Sequence, residues 1–134
     1  LAYAEYSAGD LALSATAASA APTVIVTAGA YTFDGSTDAL IVFSAPAVQA
    51  SVATAVTFLL YEDGVDIGRL GRITNATAAT VEFPVYYTRK MTPASGSRTY
   101  SIRAYRDVAN WTLKNGAGGT DTFFPAYIRV TNAE

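Results

Sequence analysis

The sequence contains no histidine and no cysteine among its 134 residues. Histidine is the usual general base near neutral pH and the commonest metal ligand, and cysteine supplies a strong nucleophile and a soft metal ligand. Their joint absence excludes most catalytic and metal-binding designs, and it excludes disulfide bonds as a source of stability. We therefore predict a structural or binding protein that is not an enzyme and uses no cofactor.

Charged residues are also scarce. They make up 15% of the chain, whereas 51% is hydrophobic; a typical globular domain is about 25% charged. So few charges leave apolar surface uncovered, which predicts contact with other subunits. The net charge is −2 and the nine basic residues are scattered, so we expect no nucleic acid partner. No apolar run approaches the roughly 20 residues that cross a bilayer, so we expect no membrane insertion.

The length suits a single domain, residues 1–134. A chain of 14.0 kDa buries roughly two thirds of its unfolded surface, which is enough for a core without metal or disulfide links. The first residue is Leu1 and not methionine. We therefore expect a processed product or a portion of a longer polypeptide.

Apolar and polar residues alternate with the period of β-strands along much of the chain. Tyr100, Ile102 and Ala104 alternate with Ser101 and Arg103. Similar alternation occurs at 81–88 and, with Phe124 as its first apolar residue, at 124–131. Residues 40–43 and 56–61 are apolar on both faces, which predicts central strands or strands at an interface. We expect residues 11–21, which precede Pro22 and the β-branched run 23–27, to form a strand. Residues 45–55 are expected to form a loop with room for a helical turn.

Turn residues separate these segments. Asp63-Gly64 favours the tight type I′ turn of a hairpin. Gly68 and Gly71 predict a bulge or a tight bend in its second strand. Pro84 predicts an edge strand or a bulge because proline lacks an amide donor. The count of eight to ten short strands without a convincing helix predicts an all-β fold, a jelly-roll-like antiparallel β-sandwich.

Two groups of acidic residues have alternative interpretations. Glu62, Asp63 and Asp66 at the hairpin tip suit a hard cation such as calcium, but a solvated turn is the favoured interpretation, and we expect no metal site. Asp34 and Asp38 suit a glycosidase pair only if both line one cleft. Asp34 is more simply a turn residue that bonds to the backbone two residues ahead, with Gly35 supplying the unusual dihedral angle.

The best surface candidate is the segment 103–111. It concentrates guanidinium groups, aromatic rings and an amide, which suit stacking on sugars or anchoring in a partner. The alternative is that the single tryptophan fills the core and the arginines pair with carboxylates across strands. The candidate binding residues are Arg103, Tyr105, Arg106, Asn110 and Trp111.

Several motifs follow one another in a fixed order along the chain. They are LAYAE at 1–5, TFDGST at 32–37, LYEDG at 60–64, IGRL at 67–70, RKMTP at 89–93, SRTYSIRA at 97–104, GAGG at 116–119 and PAYIRVT at 125–131. In this order the chain resembles a β-sandwich (jelly-roll) domain of tail-fibre, minor tail and other virion structural proteins of tailed phages that infect actinobacteria.

The resemblance implies a non-enzymatic part of a virion, in a tail fibre, a tail tip or a capsid decoration. It implies assembly with itself, for which a homotrimer is the natural geometry on a fibre, and with other virion proteins in the extracellular phage particle. The alternative function is a carbohydrate-binding module for host cell-surface glycans, with Tyr105 and Trp111 as the sugar platform.

Overall fold

β-Strands are the only long regular elements in residues 1–19 and 21–133, the part of the chain that the computed structural model describes. This part contains no α-helix, and so no helix long and apolar enough to cross a membrane. The strands are β1 Ala2–Tyr6, β2 Leu11–Leu13, β3 Thr23–Thr27, β4 Tyr31–Phe33, β5 Ala39–Ala50, β6 Thr54–Glu62, β7 Val65–Asn75, β8 Val81–Met91, β9 Gly96–Arg98, β10 Tyr100–Arg106, β11 Trp111–Lys114 and β12 Ala126–Asn132.

The two main sheets have the connectivity of a jelly roll. In the six-stranded sheet, β5 pairs with β8 on one side and with both β11 and β12 on the other. Beyond them, β1 pairs with β12 and β2 pairs with β11. The second sheet has the order β3-β10-β6-β7, and β4 pairs with β9 separately. Each sheet thus has four strand positions, joined as two Greek keys. The predicted all-β, jelly-roll-like sandwich is confirmed.

The core lies between the two sheets. The apolar side of each alternating strand contributes to it, as predicted for Tyr100, Ile102 and Ala104. Its largest fully buried side chains include Trp111, Phe43, Phe58, Ile102, Leu113 and Ile128. Each such burial stabilises the fold by about 1.5–3 kcal/mol before the entropy of ordering is subtracted. Residues 40–43 and 56–61 lie in β5 and β6, which have neighbours on both sides, so the prediction of central strands is confirmed.

The predicted hairpin and its bulges are present. Asp63 and Gly64 have φ values of 52° and 79°, both in the left-handed region that a type I′ turn requires. The register of β7 against β6 shifts twice, so that Leu70 and Ile67 are extra residues next to Gly71 and Gly68. The shifts let the strand bend while its remaining residues stay paired.

Pro84 lies where its missing amide costs least. Its strand, β8, pairs with β5 alone, and the register shifts between Ala45 and Val48. This shift also overturns the prediction of a loop at 45–55. The bulge takes up Pro46 and Ala47, pairing resumes at Val48, and β5 continues to Ala50.

Two further predictions are wrong in detail. Only Leu11–Leu13 of residues 11–21 is a strand; beyond it the Ala15 carbonyl accepts a hydrogen bond from the Arg106 amide (2.7 Å), as the chain crosses to the other sheet, and residue 20 lies outside the described residues. The last strand begins at Ala126, and Phe124 before it is exposed. The twelve described strands also outnumber the predicted eight to ten. The reason is that β1 with β2, and β11 with β12, each occupy one strand position of the sheet as two shorter strands.

Gly71 tests the packing on the open side of the sandwich, where the edge strands β7 and β8 of the two sheets meet. A Cβ built on Gly71 of β7 would overlap Cε1 of Tyr87 on the facing strand β8, and the Tyr87 ring contacts Phe58 with ring centroids 5.7 Å apart. We expect Gly71→Ala to lower the free energy of unfolding by about 1–3 kcal/mol, measured by urea denaturation. Gly29→Ala is the control, since its Cβ would meet nothing within 4 Å. Equal stability of the two variants would contradict this packing.

Asp107 links the loop after β10 to the start of β6. Its Oδ1 accepts hydrogen bonds from the Ala55 amide (2.6 Å), the Val108 amide (2.6 Å) and the Thr54 hydroxyl (2.8 Å). The bond from Ala55 is the main reason that the pKa of this carboxyl lies below its ordinary value of 3.8. A lowered folded-state pKa contributes stability that is complete above the unfolded pKa and is lost as the pH falls through the folded one.

We therefore expect Asp107→Asn to lose less stability than wild type as the pH falls below about 4. Urea midpoints measured across that range, for the variant and for wild type, test this. Asp121→Asn, which changes an exposed carboxylate in another loop, is the control. An unchanged acid dependence in Asp107→Asn would contradict the role of Asp107.

Candidate functional site

The outer face of the six-stranded sheet carries a group of tyrosines. In β12 the residues Ala126, Ile128 and Val130 are buried in the core. Because side chains alternate between the two faces of a strand, Tyr127 and Arg129 point away from the core. Residues paired directly across strands share a face, so the register extends this assignment to the neighbouring strands.

Two rows of side chains cross this outer face. In the first, Tyr127 of β12 is paired with Glu5 of β1 on one side and with Ser44 of β5 on the other, and Ser44 is paired with Tyr86 of β8. The second row is Tyr3, Arg129, Val42 and Thr88. We call the surface formed by these eight residues the tyrosine face.

The tyrosines of this face are open to solvent to different degrees. Tyr86 is 61% exposed and Tyr3 is 53% exposed, whereas Tyr127 is half-buried. The rings of Tyr3 and Tyr127 are in contact, with centroids 5.5 Å apart and planes 33° apart. Tyr86 lies two strands from Tyr127, which corresponds to about 9.5 Å at the usual strand spacing.

Polar groups lie between and beside these rings. The Tyr3 hydroxyl donates a hydrogen bond to Oε2 of Glu5 (3.0 Å), and burial, followed by this bond, raises the pKa of Tyr3. Val42 is fully buried although it belongs to the outward row, so its neighbours cover it. The result is a sheet surface with an apolar base, aromatic rings and hydroxyl, carboxylate and guanidinium groups at their edges. Tyrosine combines an apolar ring with a hydrogen-bonding tip, which suits ligands that are apolar on one side and polar on the other.

The structure places Trp111 away from any surface, so its proposed role in a sugar platform is wrong. Trp111 is fully buried and packs against Phe83 with ring centroids 6.3 Å apart. It is paired with Leu13, which is also fully buried, so its strand position faces the core. Its Nε1 has no hydrogen-bond partner in the described part of the chain. The alternative interpretation, a core tryptophan, agrees with this placement.

The other four candidate residues separate into two pairs. Arg103 and Tyr105 lie on the outer face of the four-stranded sheet, where the Arg103 guanidinium carbon is 4.1 Å from the centroid of the Tyr61 ring. Arg106 donates from Nε to Oδ1 of Asn110 (3.1 Å), and its Nη1 donates to two loop carbonyls. Among the described residues neither arginine forms an ion pair, so the predicted pairing with carboxylates does not occur. Arg106 and Asn110 stabilise a loop.

Asp34 and Asp38 are each held by their own hydrogen bonds. Asp34 accepts bonds from the Thr37 hydroxyl (2.6 Å) and from the Ser36 and Thr37 amides (2.7 Å each), as predicted for a turn residue. These bonds, that from the Thr37 hydroxyl first, hold the pKa of Asp34 far below its ordinary value. Asp38 accepts a hydrogen bond from the Thr92 hydroxyl (2.5 Å), and its carboxylate contacts the Lys90 ammonium (3.2 Å). Both contacts lower the pKa of Asp38, and the bond from Thr92 has the larger effect.

The acidic residues at the hairpin tip have separate partners. Glu62 accepts a hydrogen bond from the Tyr100 hydroxyl, Asp63 from the Thr99 amide and Asp66 from the Gly68 amide. Within residues 1–19 and 21–133 no three acidic side chains are grouped as metal ligands. Each of these three carboxylates therefore bonds to a different part of the protein, and only the Asp66 bond joins residues that are close in sequence.

Comparison with known proteins gives little further information. No protein-family model matches the chain, and no curated protein sequence matches it. Among solved structures, the chain is similar to one described as "CBM4 structure and function", a carbohydrate-binding module. The two are 14% identical, the alignment covers 92% of this chain and 82% of that one, and the TM-score is 0.35. This degree of similarity does not identify a family.

Proposed function

We propose that this protein is a non-catalytic carbohydrate-binding module and that the tyrosine face binds an extended glycan. The observation that carries the proposal is the set of three tyrosines on one sheet face, two of them more than half exposed. Sugar rings have an apolar face of C–H groups and an edge of hydroxyls. A tyrosine ring packs against the first, and its hydroxyl and its polar neighbours bond to the second.

The shape of the surface favours a chain-like ligand. The tyrosines lie on β1, β12 and β8, so a ligand that contacts all three extends across the strands. Ser44 lies between Tyr127 and Tyr86 and offers a hydroxyl to a sugar between two stacked ones. Glu5 and Arg129 add an acceptor and a donor fork for sugar hydroxyls.

The acidic residues support binding without hydrolysis. A glycosidase needs one carboxyl that keeps its proton near neutral pH to act as the general acid. The pKa values of Asp34 and Asp38 are both lowered, and their oxygens are occupied by hydrogen bonds. Neither residue suits that role.

The proposal is tested by depletion of the protein from solution with insoluble polysaccharides of several backbone types. We expect at least one polysaccharide to retain the protein and a soluble oligosaccharide of the same type to release it. No product should form during prolonged incubation. Failure of every polysaccharide to retain the folded protein would contradict the proposal.

A second candidate function is assembly in a virion, for which the motif order in the sequence is the first support. The second support is the scarcity of charged residues together with several exposed apolar side chains. Val65, Val108 and Phe124 are 63%, 71% and 74% exposed. Light scattering tests the homotrimer that this function predicts, and a monomer at all concentrations would contradict it.

A further inference from the structure

A cleft lies on the open side of the sandwich, apart from the tyrosine face. The edge strands β7 and β8 meet there, and near the hairpin end they leave a space of about 160 Å³. Its floor is formed by Leu60, Leu70 and Met91, and Glu62, Arg69 and Arg89 stand around it.

Two of these charged residues occupy core-facing strand positions. Arg89 is paired with Ile41, which is buried in the core, and lies between Tyr87 and Met91 on that side of β8. Glu62 is paired with Tyr100, which is also part of the core. A charged residue at such a position is unusual, because burying a charge is costly unless it is paired. Here both residues line a cleft that opens to solvent.

Arg89 and Glu62 are not paired with each other among the described residues. Arg89 donates from Nη1 to the Lys90 carbonyl (2.9 Å), which leaves its other N–H groups free of protein acceptors in the described part of the chain. Oε2 of Glu62 accepts a hydrogen bond from the Tyr100 hydroxyl (2.5 Å). Burial first, and then this bond, raise the pKa of Tyr100, so the hydroxyl keeps its proton near neutral pH. The second oxygen of Glu62 remains an acceptor.

We infer that this cleft binds a single six-membered sugar ring that carries a carboxylate, a uronic acid. The space of about 160 Å³ is close to the roughly 150 Å³ of a protein cavity that accepts one benzene ring, so it holds one ring of a ligand, and the open side of the cleft leaves room for the ring hydroxyls. Two guanidinium groups against one carboxylate give the cleft a positive charge, and arginine binds a carboxylate through two parallel hydrogen bonds. The apolar floor packs against the C–H face of the ring, and Glu62 accepts a bond from a ring hydroxyl.

Titrations with glucuronate, glucose and acetate, followed by amide chemical shifts of ¹⁵N-labelled protein, test this inference. We expect glucuronate to shift the amides of residues 67–70 and 89–91, with an affinity at least about tenfold higher than that of glucose or acetate. Equal affinity for glucose would overturn the role of the arginines. Equal affinity for acetate would overturn the requirement for a sugar ring, and the absence of any shift would overturn the site.

Matched variants test whether Arg89 holds the carboxylate in this cleft. Arg89→Gln should weaken glucuronate binding at least about tenfold, and Arg89→Lys, which keeps the charge but loses the fork, should be intermediate. Arg72→Gln is the control, because Arg72 lies on β7 opposite Thr57 and contacts Asp107 (3.6 Å) away from the cleft. A loss of binding in Arg72→Gln equal to that in Arg89→Gln would overturn the assignment. A protein with Tyr3 and Tyr86 both replaced by alanine should still bind glucuronate, so this inference can fail or hold independently of the tyrosine face.

Discussion

Replacing Trp111 by alanine is expected to lower the free energy of unfolding by about 3–5 kcal/mol, the range for removing a large aromatic side chain from a core. Trp111 is fully buried, and its ring fills the space between Phe83 and the rest of the core. The substitution removes that apolar area and leaves a cavity that the surrounding strands fill only in part. Urea denaturation followed by circular dichroism measures the change.

Trp111→Phe is the matched variant. It keeps an aromatic ring in the core and removes Nε1, a buried donor without a partner among the described residues. The smaller cavity destabilises and the loss of the unsatisfied donor stabilises, so we expect a net loss of only about 1–2 kcal/mol. If Trp111→Ala kept wild-type stability and instead lost ligand binding, Trp111 would belong to a binding surface and the core assignment would be wrong.

Replacing both Tyr3 and Tyr86 by alanine is expected to weaken glycan binding by about a hundredfold. A well-placed aromatic side chain contributes about 1–2 kcal/mol to a binding surface, and each 1.4 kcal/mol is a factor of ten. Both residues are more than half exposed, so we expect each single substitution to change the free energy of unfolding by only about 0.5 kcal/mol. Isothermal titration calorimetry with the oligosaccharide that releases the protein measures the affinity.

Tyr105→Ala is the control for this second prediction. Tyr105 lies on the outer face of the four-stranded sheet, beside the stacked pair of Arg103 and Tyr61. We expect its replacement to leave the affinity unchanged. If Tyr105→Ala lost binding and the double tyrosine variant did not, the ligand would bind on the opposite side of the sandwich.

The main features of the fold could be predicted from local patterns. A type I′ turn needs positive φ at two successive residues, and aspartate followed by glycine tolerates this better than most pairs. The dipeptide Asp63-Gly64 therefore predicted the position of the hairpin. Strands apolar on both faces, such as 56–61, had to be central, because only a paired and covered strand hides both faces. The prediction of a loop at 45–55 failed in part because a bulge accommodates Pro46 inside β5, and no local signal distinguishes such a bulge from a loop.

The binding surface was harder to predict, because it depends on register between distant strands. The sequence favoured the segment 103–111, where arginines and aromatic residues are adjacent in the chain. Trp111 was part of that group only by sequence position, and its pairing with Leu13 turns it inward. Tyr3, Tyr86 and Tyr127 are far apart in sequence and come together only through the pairing of β1, β12, β5 and β8. The available signal was that each tyrosine occupies the polar side of an alternating strand.

The most direct test of the central claim is a map of amide chemical-shift changes in wild-type protein on addition of an oligosaccharide that releases it from an insoluble polysaccharide. If the tyrosine face binds glycan, the largest changes will lie at residues 3–5, 42–44, 86–88 and 127–129. Changes centred on Arg103 and Tyr105 would contradict the claim, and so would the absence of any change with every glycan tested.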